Sequence, residues 1–348
     1  MTAEPATSQS DEAAILAAVR SGDESAFAAL AERYRRQLHV HCYRMLGSLD
    51  DAEDLVQETL LRAWRGRAGF EGRSLFRTWL YRMATNACLN TLERTPRRFM
   101  PPDLGPPAGD PHVAPTWAPE IRWLQPYPDR LLEPMAPGDT QPDVVVVSRE
   151  TIELAYLAAI QHLPPRQRAI LILREALDWS AREVASLLDM TVASVNSALQ
   201  RARATMRTRG PTAELDWAPA THATEDERAV LQRYMDCHDR ADIDCLAALL
   251  REDARLAMPP APSWYEGREA ITILMGPGFD PEMFGHWRSV STRANMQPAV
   301  AWYLRSPGDS EYRAVSIDVL RVEGGQIAEI TAFASPELFP AFGLLPTL

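Results

Sequence analysis

Thirteen prolines fall between Pro96 and Pro142 of this 348-residue chain. Each removes a backbone donor and holds φ at about −65°, so neither a long helix nor a central strand can run through the segment. The chain must therefore be built from modules on either side of it, and its length suits two or three, each large enough to bury a core. Residues 100–143 read as an extended, Pro-rich, acidic linker of roughly 45 residues. Its apolar island, IRWLQPYPD from Ile121 to Asp129, is out of place in a purely flexible tether and asks for a docking surface.

Before the linker, residues 11–99 read as an all-helical module, rich in Ala, Leu, Glu and Arg, with Leu55, Leu60, Ala63 and Trp64 at helical spacing. Ser10 and Ser48 are placed to cap helices. After the linker, residues 144–210 form a second helical module. Ser180 and Glu183 make a capping box, Asp189-Met190 a turn, and Thr191 the next cap. Two short helices about a tight turn describe a helix-turn-helix. Beyond Gly210-Pro211, residues 222–348 predict an α+β domain. One helix is expected from about 225 to 250, then alternating strands, with a hairpin turning at Gly324-Gly325. The expected fold class is multidomain: two all-α modules and a linker, followed by an α+β cone.

The formal net charge of −11 argues against nucleic acid until it is read by segment. Residues 148–210 carry nine basic and six acidic side chains, whereas the linker stretch 100–147 carries two and seven, and 211–348 carry 11 and 21. The local field of the helix-turn-helix is basic, which is what phosphate contact requires. All 36 basic residues are Arg. The four cysteines, Cys42, Cys88, Cys237 and Cys245, show no CxxC pair or zinc spacing, so no metal and no cofactor is expected. The N-terminus has no charged-then-apolar pattern, and no apolar run approaches the ~18 residues of a membrane span. These features predict a cytoplasmic protein with reduced thiols and no membrane partner.

The stretch DAEDLVQETLLRAW, Asp51 to Trp64, is an amphipathic helix with Leu, Ala and Trp on its buried side and Asp54, Gln57, Glu58 and Arg62 on the other. Taken alone, that polar side is an ordinary solvated face. The following segment, Phe70 to Arg94, interleaves Arg with aromatics, which suits either a single-strand-binding surface or a core with charged flanks. Together these segments resemble the compact, extracytoplasmic-function (ECF) sigma factors of the sigma-70 family. The resemblance implies that 51–64 docks on the β′ clamp helices of core RNA polymerase. It implies that Phe76, Arg77, Trp79, Arg82, Asn86, Asn90 and Arg94 meet the minus-ten element of promoter DNA. Asn86 matches the position that borders a flipped-base pocket, completed by the loop 69–74.

LPPRQRAILILR, Leu163 to Arg174, and the helix-turn-helix after it resemble the minus-thirty-five-binding region of the same family. Ala193, Asn196, Ser197 and Gln200 would then read bases, with Arg201, Arg203 and Arg207 on phosphates or on the polymerase β flap. The sequence departs from the family at Asn196 and Ala198, positions often basic there. The linker would thread the polymerase active-site cleft and RNA exit channel, and its acidity suits a path for RNA.

The C-terminal third resembles the SnoaL-like cone of cyclases and isomerases through its long first helix, WYEGREAI from Trp264 to Ile271, and its closing hairpin. That combination points to sigma factors of the sigma-G or sigma-J type. His238, Asp239, His286 and Asp318 are candidate acid/base groups, and Trp264, Tyr265, Trp287 and Trp302 could line a pocket, so the pocket set is His238, Trp264, Trp287, Trp302 and Asp318. No spacing ties them together. They are open to three readings: satisfied core groups, a small-molecule sensor pocket, or catalysis. The acidic surplus predicts a regulatory domain that competes with DNA for Arg-rich neighbours. The rivals are a helix-turn-helix regulator that never joins the polymerase, and a cyclase or isomerase fused to a DNA-binding module. The sigma reading predicts no enzyme.

Overall fold

The computed structural model describes residues 15–70, 75–95, 97–132, 151–209 and 224–348. They fall into two compact units. The first takes residues up to 97 together with 159–209; the second takes 98–132, 151–158 and 224–348. The cap expected at Ser10, most of the loop 69–74 and the linker beyond 132 lie outside the described residues.

In the first unit, Asp23 caps α1 (Glu24–Leu46), accepting from the Ala26 N–H. Gly47 ends it in the left-handed region, and Ser48 then accepts from Asp51 N to open α2 (Leu49–Gly66). A left-handed glycine followed by a capping serine is what separates the two helices. α3 (Phe76–Arg94) completes the first module. α4 (Leu154–Gln161) lies across the division between the units. α5 (Pro165–Leu171) opens on a proline and runs into one π-type turn, Ile172–Ala176. The capping box of Ser180 and Glu183 opens α6 (Ala181–Leu188), and Asp189, at φ 54°, turns the chain toward α7 (Val192–Arg209). The helix-turn-helix is formed as the sequence predicts.

The two helical modules pack together within this unit. Arg82 on α3 donates to the carbonyls of Ser186 (2.6 Å) and Leu187 (3.3 Å) at the end of α6. The rings of Tyr81 and Trp179 lie 5.3 Å apart. Arg168, from the basic LPPRQR stretch, is fully buried and donates to Met45 O, Gln161 Oε1, Gln161 O and Leu163 O. Burial brings its guanidinium down to about 10, so this Arg is a structural cation and not a phosphate contact.

The second unit is built on a six-stranded sheet in the order β2-β1-β6-β5-β4-β3. The strands are β1 (Leu250–Ala257), β2 (Trp264–Glu266), β3 (His286–Ala294), β4 (Gln297–Arg305), β5 (Arg313–Glu323) and β6 (Gln326–Phe333). β1 runs parallel to β6; every other pair is antiparallel. α8 (Glu225–Asp239), α9 (Ile243–Leu249) and α10 (Arg268–Met275) accompany the sheet, and Tyr234, Leu246, Ile271, Trp302 and Leu320 are among the residues of its core. The single helix expected over 225–250 is two. Ala241 takes φ 52°, which ends the first, and Asp242 accepts from Cys245 N to cap the second. The expectation of reduced thiols is also corrected: Cys237 on α8 and Cys245 on α9 are joined by a disulfide, while Cys42 and Cys88 are free and buried.

The β5–β6 hairpin turns at Gly324-Gly325, both with positive φ, as predicted. The β3–β4 hairpin turns at Asn295-Met296, also both positive, without a glycine. The linker accounts for this turn's stability. Asp129 accepts from Met296 N (2.7 Å) and pairs with Arg293 (2.9 Å), while the Tyr127 backbone donates to Asn295 Oδ1 and accepts from Asn295 N. Residues 98–132 are thus no free tether but a strap on the C-terminal domain. Ala108 N donates to Trp264 O, Trp264 Nε1 to Gly105 O, and Ala118 N to Pro260 O. Trp123 and Tyr127 of the apolar island are buried. Among the described residues no helix is long and apolar enough to cross a membrane.

Candidate functional site

On α2 the residues Asp54, Gln57 and Arg62 are exposed and Glu58 is half-buried, while Ala52, Leu55, Val56, Leu60 and Ala63 are buried. Glu58 and Arg62 form an i,i+4 ion pair at 2.5 Å, and Gln57 donates to Glu53 at 2.9 Å. One residue departs from the expected apolar side. Leu61 is 55% exposed, and at 100° per residue it sits between Gln57 and Glu58 on the polar face. An apolar side chain at the centre of a charged face is suited to a protein partner. Only the helical phase, taken residue by residue, would have found it.

The residues gathered for the minus-ten element separate on α3. Arg82, Asn86, Asn90 and Arg94, spaced by four, are exposed. Phe76 is buried, its ring 5.9 Å from Tyr34 and 5.7 Å from Phe70, so it belongs to the core and offers no face to a base. Trp79 is half-buried against Phe70 (5.1 Å) and Phe76 (5.6 Å). Arg77 lies over the rings of Tyr81 and Trp179. Arg82 is exposed yet spends its donors on the carbonyls that end α6.

On α7 the buried stripe is Val195, Ala198, Leu199 and Ala202, and Ala193, Asn196, Ser197, Gln200, Arg201, Arg203 and Arg207 are all exposed. Thr191 caps the helix, accepting from Ser194 N at 3.1 Å. Ala198, which the resemblance places at an often-basic position, faces the core and cannot meet DNA. Arg203 is held by Glu175 at 2.6 Å, whereas Val192, 43% exposed, adds an apolar contact at the helix's leading end that the sequence reading missed.

In the C-terminal domain the fold assembles three of the five pocket residues around a carboxyl group. Asp318, on β5, is buried; its Oδ2 accepts from Tyr234 OH (2.9 Å) and Trp302 Nε1 (2.9 Å), and its Oδ1 from Ser316 (2.9 Å). Burial raises its pKa to about 6 despite these three donors, which favour the charged form. His238 stacks on Trp302 at 4.3 Å and near Phe279 at 4.6 Å. Its Nδ1 donates to Tyr234 O, and burial lowers its pKa to about 4, so the imidazole is neutral. Trp287 reaches Trp302 edge-on at 6.2 Å. Trp264 does not join them; it is at the opposite end of the sheet order, bonded to the linker. Asp239 and His286 are exposed. Tyr234 and Ser316 were not legible as site residues; Tyr234 precedes His238 by one helical turn, the only hint.

Chemically, this cluster holds a carboxyl group that gains or loses a proton near pH 6 with all three donors already in place. It lacks the exposed base that proton abstraction from a substrate requires. Among the described residues no group of three or more His, Cys, Asp or Glu could hold a metal ion.

Comparison with known proteins bears on all three modules. Residues 30–98 match Sigma-70 region 2, 153–206 match Sigma-70 region 4, and 231–330 match the SnoaL-like domain. The chain is 44% identical to the ECF RNA polymerase sigma factor SigG of Mycobacterium tuberculosis, over 94% of this chain and 86% of that protein. It is 28% identical to the ECF RNA polymerase sigma factor SigW of Bacillus subtilis over 54% of this chain and 91% of that one. Among solved structures, the Mycobacterium tuberculosis extracytoplasmic function sigma factor SigJ shares the fold with a TM-score of 0.58 at 21% identity. That match covers 91% of this chain and 100% of that one.

Proposed function

Because the chain belongs to the ECF RNA polymerase sigma factors, we propose that it binds core polymerase through α2, opens and reads the minus-ten element with α3, and grips the minus-thirty-five duplex with α7. It acts in the cytoplasm, where the polymerase works, and leaves nucleotide transfer to that enzyme. The observation that carries this reading is the pair of exposed faces on α2 and α7, in the order of the family's regions 2 and 4. On α2, Asp54, Gln57, Glu58 and Arg62 surround Leu61, a polar rim about an apolar contact that suits the β′ clamp helices. On α7, Asn196, Ser197 and Gln200 supply hydrogen bonds for base edges, and Arg201 and Arg207 supply charge for phosphates or the β flap.

The C-terminal domain modulates this activity by holding the linker. The two promoter elements are centred about 25 base pairs apart, or roughly 85 Å at 3.4 Å per pair, so the modules that carry α3 and α7 must part at the α3–α6 contact to reach both. A linker strapped over residues 98–132 is chain that cannot extend through the polymerase cleft. Its release lengthens the reach between the modules. The test is reconstitution of core polymerase with the full chain and with a form lacking 211–348, mapping run-off start sites. Specific start sites that shift in strength on truncation are expected. Absence of start sites above background rejects the sigma reading, and identical output from both forms rejects the modulatory one.

A further inference from the structure

We propose that Cys237 and Cys245 form a reversible dithiol, oxidised to its disulfide by hydroperoxides and returned by dithiol reductants. The inference uses the family reading only for the compartment. A protein that works on RNA polymerase meets a reducing interior, where disulfides are mostly transient and redox-responsive.

The geometry suits reversibility. The turn between the two cysteines is tied without help from sulfur: Asp242 N donates to Cys237 O (2.8 Å), and Cys245 N donates to Asp242 Oδ1 (2.9 Å). These bonds hold the two Cα atoms 5.5 Å apart, within the range a disulfide needs, so the reduced pair stays in register. The sulfurs are also unequal. Cys237, on the buried side of α8, is wholly buried, whereas Cys245 is partly exposed and has the Arg240 guanidinium 3.7 Å from its Sγ. A neighbouring cation favours the thiolate, which is the nucleophile. The other two cysteines, Cys42 and Cys88, are buried, and burial raises the Cys88 thiol.

Cys245 is thus the attacking residue and Cys237 the resolving one. The Cys245 thiolate attacks the terminal oxygen of a hydroperoxide; the O–O bond breaks, an S–O bond forms, and an alcohol or water leaves after taking a proton from solvent. Cys237 then attacks the Cys245 sulfenic acid. The S–S bond forms, the S–O bond breaks, and hydroxide leaves as water with the Cys237 proton. Two thiols lose two electrons and the peroxide gains them. In reverse, a dithiol attacks Cys245, Cys237 departs as thiolate, and the second thiol of the reductant closes its own disulfide.

The test uses the full chain, reduced with dithiothreitol, desalted and treated with one equivalent of hydrogen peroxide. Alkylation and peptide mapping then read each cysteine. The expected result is loss of the Cys237 and Cys245 thiols together, joined in one peptide pair, with Cys42 and Cys88 still alkylated after denaturation. Cys245→Ser should slow peroxide consumption at least tenfold, and Cys237→Ser should leave a sulfenic acid at Cys245 that a carbon nucleophile traps. Circular dichroism of both variants, matching the reduced wild type, verifies the fold. Three outcomes would overturn the proposal: a disulfide that resists dithiothreitol in the folded protein, peroxide consumption unchanged in both variants, or oxidation falling first on Cys42 or Cys88. None of these readouts involves transcription, so their failure is distinct from failure of the sigma reading.

Discussion

Asn295 and Tyr127 bind each other through two hydrogen bonds: Tyr127 N donates to Asn295 Oδ1 at 2.7 Å, and Asn295 N to Tyr127 O at 2.8 Å. The same Asn295 side chain donates to Ile152 O at 2.8 Å, and Gln297, two residues on, accepts from Leu154 N at 3.1 Å. One tight turn of the sheet therefore holds both the strap near residue 127 and the chain at 152–154, where α4 begins.

Replacing Asn295 by Ala removes both side-chain bonds and leaves a buried N–H and a buried carbonyl without them. It also places a residue ill-suited to φ 58° in the turn. The expected cost is about 3 kcal/mol in urea unfolding. Limited proteolysis should cut residues 98–132 in the variant under conditions where the wild-type strap survives. Equal protection of the two proteins would show that the turn does not hold the linker.

Asp318 and His238 pull stability in opposite directions with pH. The folded-state pKa of Asp318 is raised to about 6, so its contribution is fully present below pH ~4 and lost as pH rises through 6. That of His238 is lowered to about 4, so its contribution is present above the ordinary histidine value and lost as pH falls toward 4. Between pH 4 and 6 the two partly cancel. Asp318→Asn removes one of them, and the variant should lose about 3 kcal/mol more than wild type between pH 7 and pH 4. Denaturant titrations at those two pH values check the difference; parallel wild-type and variant curves would contradict the assignment.

Gly285 opens β3 at φ 104°, and a Cβ placed there would lie 2.1 Å from the carbonyl oxygen of Arg305, its β4 neighbour. Since the obstacle is backbone, no side chain can move aside. Gly285→Ala should destabilise by more than about 2 kcal/mol. Thermal unfolding of the variant next to Gly308→Ala, which has a similar φ of 94° but nothing within 4 Å of the added methyl, isolates the steric effect.

On α7, Gln200→Ala should relax base discrimination at one promoter position by about 1–3 kcal/mol, while Arg201→Ala should weaken all duplexes alike and lower the salt slope by about one. Arg203→Ala should do less, because Glu175 already holds that guanidinium. Binding of the polymerase-bound protein to promoter variants across salt concentrations separates the three. A larger loss at Arg203 than at Arg201 would reverse the assignment.

Local pattern made the helical modules legible. The capping box at Ser180, the left-handed turn at Asp189, the amphipathic phase of α2 and the Gly-Gly hairpin all depend on residues within a turn or two of one another. For that reason the exposed faces of α2 and α7 could be written down from sequence almost intact. The exceptions, Leu61 on α2 and Phe76 on α3, are residues whose burial depends on which neighbouring helix covers them.

Sequence by itself determined that residues 96–142 could carry neither a long helix nor a central strand, because proline withholds a donor and fixes φ wherever it stands. Only the tertiary structure decided where that segment goes. Its place depends on Asn295, Asp129 and Trp264 meeting backbone groups 159 to 168 residues distant in the chain. The pairing of Cys237 with Cys245 and the three donors around Asp318 are decided in the same way: a hydrogen bond or a disulfide needs two groups brought within a few ångströms, and no local periodicity records that distance.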